Sequence, residues 1–338
     1  MPVKAAVTLK TIAAELDVSV TTVARALNGG ERISPSMIEK VQACAERLGY
    51  VRNLDGVKLR TGKTFVLMAF LSIPTEEEIG DSGSVGLLNG IHKRLSDSDY
   101  AVRTVPVTKQ ASGLDMIKKI VSGRNADGII LDHTTPEDER VKYLLQANIP
   151  FVTFGRTSSS NQHAFFDLDN EFAAYQGTKE MINQGFKRIA LLDADISYTF
   201  VSQRVQGYRR ALEEAGLSFD RHLIRHMDQE APLALAAATE LLSSGVDAFV
   251  CVTEQVFMGA RAGVHKTLAE KAHKIGFSLR SGTNICAYLN STISTSFYSR
   301  VDAGWNLADI LLKQIEGAPI SQCQHIAKTT LRNFNLNQ

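Results

Sequence analysis

No two cysteines in this chain are spaced for a metal site or a redox pair. Cys44, Cys251, Cys286 and Cys323 stand far apart in apolar or helical surroundings, which reads as buried free thiols in a reducing compartment rather than disulfides. Long hydrophobic runs are missing too. The amino terminus, MPVKAAVTLK, has no apolar core ahead of a small-residue cleavage site, and no stretch reaches bilayer-spanning length. The expected location is therefore the cytoplasm, with no membrane partner. Charge of one sign is not in excess, since 37 Lys and Arg face 36 Asp and Glu. That balance excludes a uniformly basic or acidic protein but hides an asymmetry: the first 63 residues hold 10 basic and 6 acidic side chains, and the rest hold 27 and 30. A small basic module that meets a polyanion, joined to a mildly acidic body, has this signature. GxGxxG, a nucleophile elbow and a metal triad are absent as well. TGKT at 61–64 would need Gly at position 57 to complete a phosphate loop, and Val57 stands there with a strand, not a helix, to follow. His222 and His226 have no third ligand in sight and read as a solvated pair. Catalytic residues, cofactors and metals are all expected to be none.

What is present begins with three short helices that carry explicit start and stop signals. Thr8 can cap a helix through Ile12, Ala13 and Leu16, and Ser19 a second that carries Val20, Val23, Ala24 and Leu27 before Gly29 and Gly30. Ser34 and Pro35 open a third, which Gly49 ends. Only "DV" separates the first two, the spacing of a helix-turn-helix. Such a second helix lies in the major groove with its N-terminal side chains at base edges. Val20 can touch a thymine methyl, Thr21 can bond a base edge, and Arg25 can grip guanine in two bonds or hold a phosphate. Ser19, Thr22 and Asn28 suit backbone contacts. An ordinary three-helix packing unit with a solvated face is the other reading of the same pattern.

After a polar stretch at 51–63 the pattern changes. The apolar runs FVLMAFL, AVRTVPV, GIILD, FVTFG, RIALLDAD, AFVCVT and NICAYL alternate with helical segments near 85–98, 137–147, 171–184 and 202–215. Strands buried on both faces between helices indicate parallel sheets. The segment is longer than one such sheet needs, so two βα subdomains with a cleft between them are expected. The domain expectation is a headpiece at 1–50, a hinge at 51–63 and an α/β domain at 64–338. Ligands in open α/β folds sit at the carboxyl ends of strands, which points to Thr253 and Glu254 after AFVCVT and to Asn290 after NICAYL.

The stretches VTLKTIAAELDVSVTTVARALNG and RISPSMIEKVQACAERLGYVRN resemble the DNA-binding headpiece of the lac repressor (LacI/GalR) family of bacterial regulators. The likeness continues in family order through ADGIIL, IPFVTFGR, DLDNEFAAYQGTKEMINQGFKRIALL, SQRVQGYRRALEEAGL and VTEQVFMGA. It implies a homodimeric transcription factor, usually a repressor, with a small all-α helix-turn-helix headpiece on a periplasmic-binding-protein-like (type I) α/β effector domain. Its partners would be double-stranded DNA with a pseudo-palindromic operator, and a small-molecule effector, commonly a sugar. By this resemblance Thr8, Ser19, Thr22 and Asn28 hold phosphates, and Val20, Thr21 and Arg25 read bases. Ala24 departs from the family's usual Ser. The family hinge, Tyr-x-Pro-Asn-x-x-Ala-Arg-x-Leu, forms a helix on DNA and wedges its Leu into the minor groove. YVRNLDGVKL keeps Tyr50, Asn53 and Leu59 but has Arg52, Gly56 and Val57. Gly56 should make it less helical by itself, by roughly 1 kcal/mol relative to Ala. Leu59 as a wedge and a flexible linker that retains a Leu are both open readings.

In the effector domain the resemblance assigns Arg204 to sugar hydroxyls or a carboxylate, with Tyr198 and Phe200 in the same loop. Leu289 is read as replacing a family Asp of the pattern Gly-Tyr-Asp-Asp, and Gly155 as replacing an Asp before Arg156. FVTFGR and HAFFDLDN are similar to α-glucoside and disaccharide regulators. The alternative function is a sugar-acting α/β enzyme with an accessory DNA-binding domain, because such folds host many catalysts.

Overall fold

The computed structural model describes residues 7–27, 29–30, 32–51, 54–72, 82–107, 113–289 and 292–334. The chain divides into two compact units, Met1–Lys63 and Thr64–Gln338.

The first unit holds α1 (Leu9–Leu16), α2 (Val20–Leu27), α3 (Pro35–Leu48) and α4 (Leu54–Thr61). Apolar residues three and four apart on α1 to α3 bury one small core of Ile12, Ala13, Val23, Ala26, Val41, Cys44 and Ala45. Asp17, at φ 50°, ends α1 in the left-handed region, which a short polar side chain tolerates. Gly49, at φ 67°, ends α3 in the same way.

The second unit opens with β1 (Val66–Ser72), α5 (Ser82–Leu95), β2 (Ala101–Val107), α6 (Leu114–Ser122), β3 (Gly128–Leu131), α7 (Glu139–Ala147), β4 (Phe151–Phe154) and β5 (Ala164–Leu168). The chain then passes to a second lobe of α8 (Asn170–Asn183), β6 (Ile189–Asp193), α9 (Thr199–Glu214), β7 (Ile224–His226), α10 (Ala231–Ser243), β8 (Ala248–Cys251), α11 (Glu254–Leu268), β9 (Gly276–Ser281) and β10 (Ile293–Phe297). It returns with α12 (Arg300–Ile315) and β11 (Gln324–Ala327) and crosses a last time to β12 (Thr330–Phe334). Two six-stranded sheets result, ordered β11-β5-β4-β3-β1-β2 and β12-β10-β9-β8-β6-β7. All pairs are parallel except β10 with β12. Three crossings join the lobes, between β5 and α8, β10 and α12, and β11 and β12. α12 belongs to the first lobe: Leu307, Ala308 and Leu311 share a core with Leu67 and Ile91. A Cβ on Gly304 would lie 2.0 Å from the Leu87 carbonyl oxygen, so α12 and α5 touch backbone to backbone.

Six of the seven apolar runs form strands. NICAYL does not: Ile285–Tyr288 is a 3-10 helix, with Ile285, Cys286 and Leu289 packed into the second lobe's core. The strand lies upstream, in GFSLRS. A Cβ on Gly177 of α8 would sit 2.5 Å from Ser278 Oγ of β9, and Ser294, Thr295 and Ser296 of β10 are buried as well. α8 approaches this part of the sheet so closely that small hydroxyl residues replace bulky apolar ones, and hydropathy conceals both strands. All four cysteines are buried and free. Among the described residues no helix is long and apolar enough to cross a membrane.

Candidate functional site

In the first unit the helix starts are built by hydroxyls. Thr8 Oγ1 accepts from Thr11 N at 3.3 Å while Thr11 Oγ1 accepts from Thr8 N at 3.2 Å, a reciprocal capping box. Ser19 Oγ accepts from Thr22 N at 3.0 Å and meets Thr22 Oγ1 at 2.8 Å, so Ser19 caps α2. Val20, Thr21 and Arg25 are exposed on α2, on the side away from buried Val23 and Ala26. An apolar group and a hydroxyl thus stand exposed at the start of a helix whose amide end attracts anions, with a guanidinium exposed in its last turn. Ala24 is only partly exposed. Asn28 and Asn53 lie outside the described residues.

The hinge departs from expectation. α4 forms across Gly56, and Thr61 Oγ1 donates to Val57 O at 2.8 Å in its last turn. Leu59 is 90% exposed, which sets a large apolar side chain outside any core of its own unit. TGKT runs from the end of α4 into β1, with Thr64 Oγ1 donating to Asp127 Oδ1 at 2.9 Å, so it forms no phosphate cradle.

In the second unit a cavity of about 860 Å³ opens between the two lobes at the carboxyl ends of both sheets. Its residues include Asp132, Asp138 and Arg140 from the first lobe and Tyr198, Phe200, Arg204, Thr253, Glu254 and Arg280 from the second. Arg204 is 5% exposed. Its Nε donates to Asp193 Oδ2 at 3.0 Å, and its guanidinium carbon lies 4.5 Å from the Phe200 ring centroid. Tyr198 stacks on Phe200 at 5.2 Å, and both rings meet His133 of the opposite lobe edge-on, at 5.3 and 5.8 Å. Thr199 N donates to Thr134 O at 3.1 Å beside them, so the lobes touch at this side of the cleft. Burial and the charges of Asp132 and Asp195 raise the Tyr198 pKa, which keeps its hydroxyl protonated as a donor.

Thr253 caps α11 by accepting from Val256 N at 3.4 Å, and Glu254 follows as the first helical residue. Glu254 Oε1 accepts from Ser281 Oγ, Gly282 N and Thr283 Oγ1, each at 3.1 Å. Burial opposes its ionisation, but the Arg300 charge, backbone donors and the Arg280 charge outweigh this and hold its pKa below the usual value. Asn290 lies outside the described residues. Leu289 is absent from the cavity wall. β9 is the strand that ends there, with Arg280, Ser281 and Gly282, so the position read onto Leu289 falls at these residues instead. Gly155 does line the cavity. Its φ is 111°, and a Cβ there would meet Thr134 Oγ1 at 2.7 Å, which explains on backbone grounds why Asp does not stand at this position.

Several wall residues escaped the sequence reading. Asp132 accepts from Ser72 N at 2.9 Å and ties β3 to β1. Asp138 and Arg140 pair at 2.7 Å, and Arg140 also donates to the carbonyls of Asp132 and His133. Asp167 pairs with Arg156 at 2.8 Å, yet burial raises its pKa. For Asp132 and Asp167 a signal existed: a carboxylate where a buried apolar run ends is placed at a strand's carboxyl end. Arg280 and Arg300 had none, because the strands before them read as polar loops. His226 Nδ1 meets Ala194 O at 3.0 Å, and among the described residues no cluster of three or more His, Cys, Asp or Glu forms a metal site.

Guanidiniums paired with carboxylates, amide and hydroxyl donors, and ring faces in one partly enclosed cleft suit a polyol, whose hydroxyls both donate and accept. Residues 8–53 match the family described as bacterial regulatory proteins, lacI family, and residues 75–285 match that of periplasmic binding proteins and the sugar binding domain of the LacI family. The HTH-type transcriptional regulator RafR of Escherichia coli is 33% identical over 76% of this chain and 75% of its own length. The regulator CelR of Thermobifida fusca is 27% identical over 75% of each. A solved transcriptional regulator CelR–cellobiose complex superposes with a TM-score of 0.71 at 23% identity, over 96% of this chain and 98% of that one. The lac repressor dimer bound to operator and the anti-inducer ONPF gives 0.73 at 18%, over 98% and 99%. At such identities these structures speak to the fold.

Proposed function

Because the chain belongs to the lacI family of bacterial regulatory proteins, we propose that it is a cytoplasmic homodimer that represses transcription from a pseudo-palindromic operator and responds to a sugar. Its named relatives are transcriptional regulators, and this chain is a regulator rather than an enzyme. Residues 1–50 act as the headpiece, 51–63 as the hinge and 64–338 as the effector and dimerisation domain. Val20, Thr21 and Arg25 read base edges, and Thr8, Ser19, Thr22 and Asn28 hold phosphates at helix starts. Asn53 and Leu59 serve the hinge, Leu59 as a minor-groove wedge. Tyr198, Phe200, Arg204, Thr253, Glu254 and Asn290 bind the effector, an α-glucoside or disaccharide.

The observation that carries this reading is a cleft of polyol chemistry in the same chain as a capped helix with three side chains exposed on its outer face. A sugar can change operator affinity only if it binds the DNA-competent and incompetent dimers unequally. Lobe closure on the sugar supplies that inequality. The test begins by selecting an operator from random duplexes, then measures affinity for it with each sugar of a mono- and disaccharide panel that stabilises the protein to heat. The expected result is one sugar that does both, on a background affinity that falls steeply with salt. Sugar turnover, or duplex binding indifferent to salt, would defeat it.

A further inference from the structure

The inner end of the cleft holds a guanidinium that, among the described residues, no carboxylate pairs with directly. Arg204, Arg300, Glu254 and Asp167 all lie near enough to Arg280 to act on its charge. Arg204 is matched by Asp193, and Asp167 is matched by Arg156. Glu254 spends one carboxylate oxygen on Ser281, Gly282 and Thr283. Arg280 lines the cavity, and its side chain makes no hydrogen bond and no ion pair among the described residues. Burial and repulsion from Arg300 and Arg204 push its pKa well down. A guanidinium nevertheless stays protonated near neutral pH, so it faces the cleft as a cation that a bound anion can pair with.

We infer that the cleft takes a sugar bearing a single carboxylate, a uronic or aldonic acid unit, with that carboxylate on Arg280. The inference rests on the reading of the cleft as a sugar site and narrows it. One unmatched guanidinium answers one negative charge. A phosphate ester carries more, and the surrounding walls, with Asp132, Asp138, Asp195, Asp228 and Glu230, repel the excess. The planar fork of Arg280 fits a carboxylate in two parallel bonds, while the acidic walls accept hydrogen bonds from the sugar's hydroxyls.

The test is calorimetric titration of the full-length protein with matched neutral and acidic sugars: glucose with glucuronate, galactose with galacturonate, cellobiose with cellobionate, maltose with maltobionate, and glucose 6-phosphate as the dianion. The acid member of a pair should bind more tightly by roughly tenfold or more, the worth of one charge-assisted bond. Arg280→Gln should abolish that preference, and Arg280→Lys, which restores charge without the fork, should recover part of it. Equal or tighter binding of the neutral member would overturn the inference and leave the sugar reading standing. Tighter binding of the phosphate would overturn the single charge. Binding of no sugar at all, with operator binding intact, would bring down the sugar reading and this inference together.

Discussion

The two candidate sites are built in opposite ways. On α2, Val20, Thr21 and Arg25 are exposed, belong to one short helix and are not members of the core beneath it. In the cleft, Arg204, Glu254 and Asp167 are more than nine-tenths buried, come from three different segments of the chain, and are already engaged with other protein groups. The exposed face of α2 thus stands outside the packing of its own unit, while most cleft groups hold the fold together before any ligand does. Substitutions on the first should alter binding and spare stability. Substitutions in the second should alter both.

The sharpest way to break this contrast is Arg204→Ala. Asp193 is fully buried and would be left without its cation, so unfolding of the full chain in denaturant should show a loss of about 3–5 kcal/mol, with the sugar response gone. A loss below about 1 kcal/mol, as for a surface pair, would erase the distinction. Next in size is Arg25→Ala, expected to lower specific operator binding by about 1–3 kcal/mol with unfolding unchanged. An unaltered ratio of specific to non-specific binding would remove Arg25 from base reading. Gly56→Ala comes third. A Cβ there meets nothing within 4 Å, so the hinge helix should gain about 1 kcal/mol and the operator should bind more tightly. Unchanged or weaker binding in a mobility-shift titration would mean that α4 is not helical on DNA.

The smallest effect sharpens the stability side. His163 lies buried between Thr157 Oγ1 and the Ala164 carbonyl, and burial lowers its pKa below the ordinary 6.5. The unfolded chain therefore takes up a proton first. Its contribution is whole above the unfolded value and drains away as pH falls toward the folded one. The thermal midpoint should drop with acidification through that window, and less so in His163→Asn. Equal slopes for the two proteins would show that His163 is not the group responsible.

The headpiece was legible because its information is local. Helix caps at Thr8 and Ser19, the Asp17 turn and the apolar spacing of α1 to α3 are read within a few residues of one another, and the structure realises each of them. The hinge was legible only in part: Gly56 was read as making it less helical, yet α4 forms across it. In the α/β unit β5 was not singled out although its Phe165 and Phe166 are buried, whereas β1 to β4, β6 and β8 were visible as apolar runs between helices. β9 and β10 were not, since the close approach of α8 at Gly177 replaces such residues with serines and threonine.

The sequence by itself therefore determined the family, the order of the units, the face of α2 and the presence of a cleft, because periodicity and capping act over short range. Tertiary structure alone decided which charged groups share the inner end of that cleft. Asp167, Arg204, Glu254, Arg280 and Arg300 are distant in the chain, and their mutual charges act only after two sheets and three crossings have brought them together in a poorly solvated space. Arg280 illustrates the difference: in the sequence it is an arginine in a polar run, and in the fold it lines the cleft, with the charges of Glu254 and Asp167 acting on it and no side-chain ion pair among the described residues.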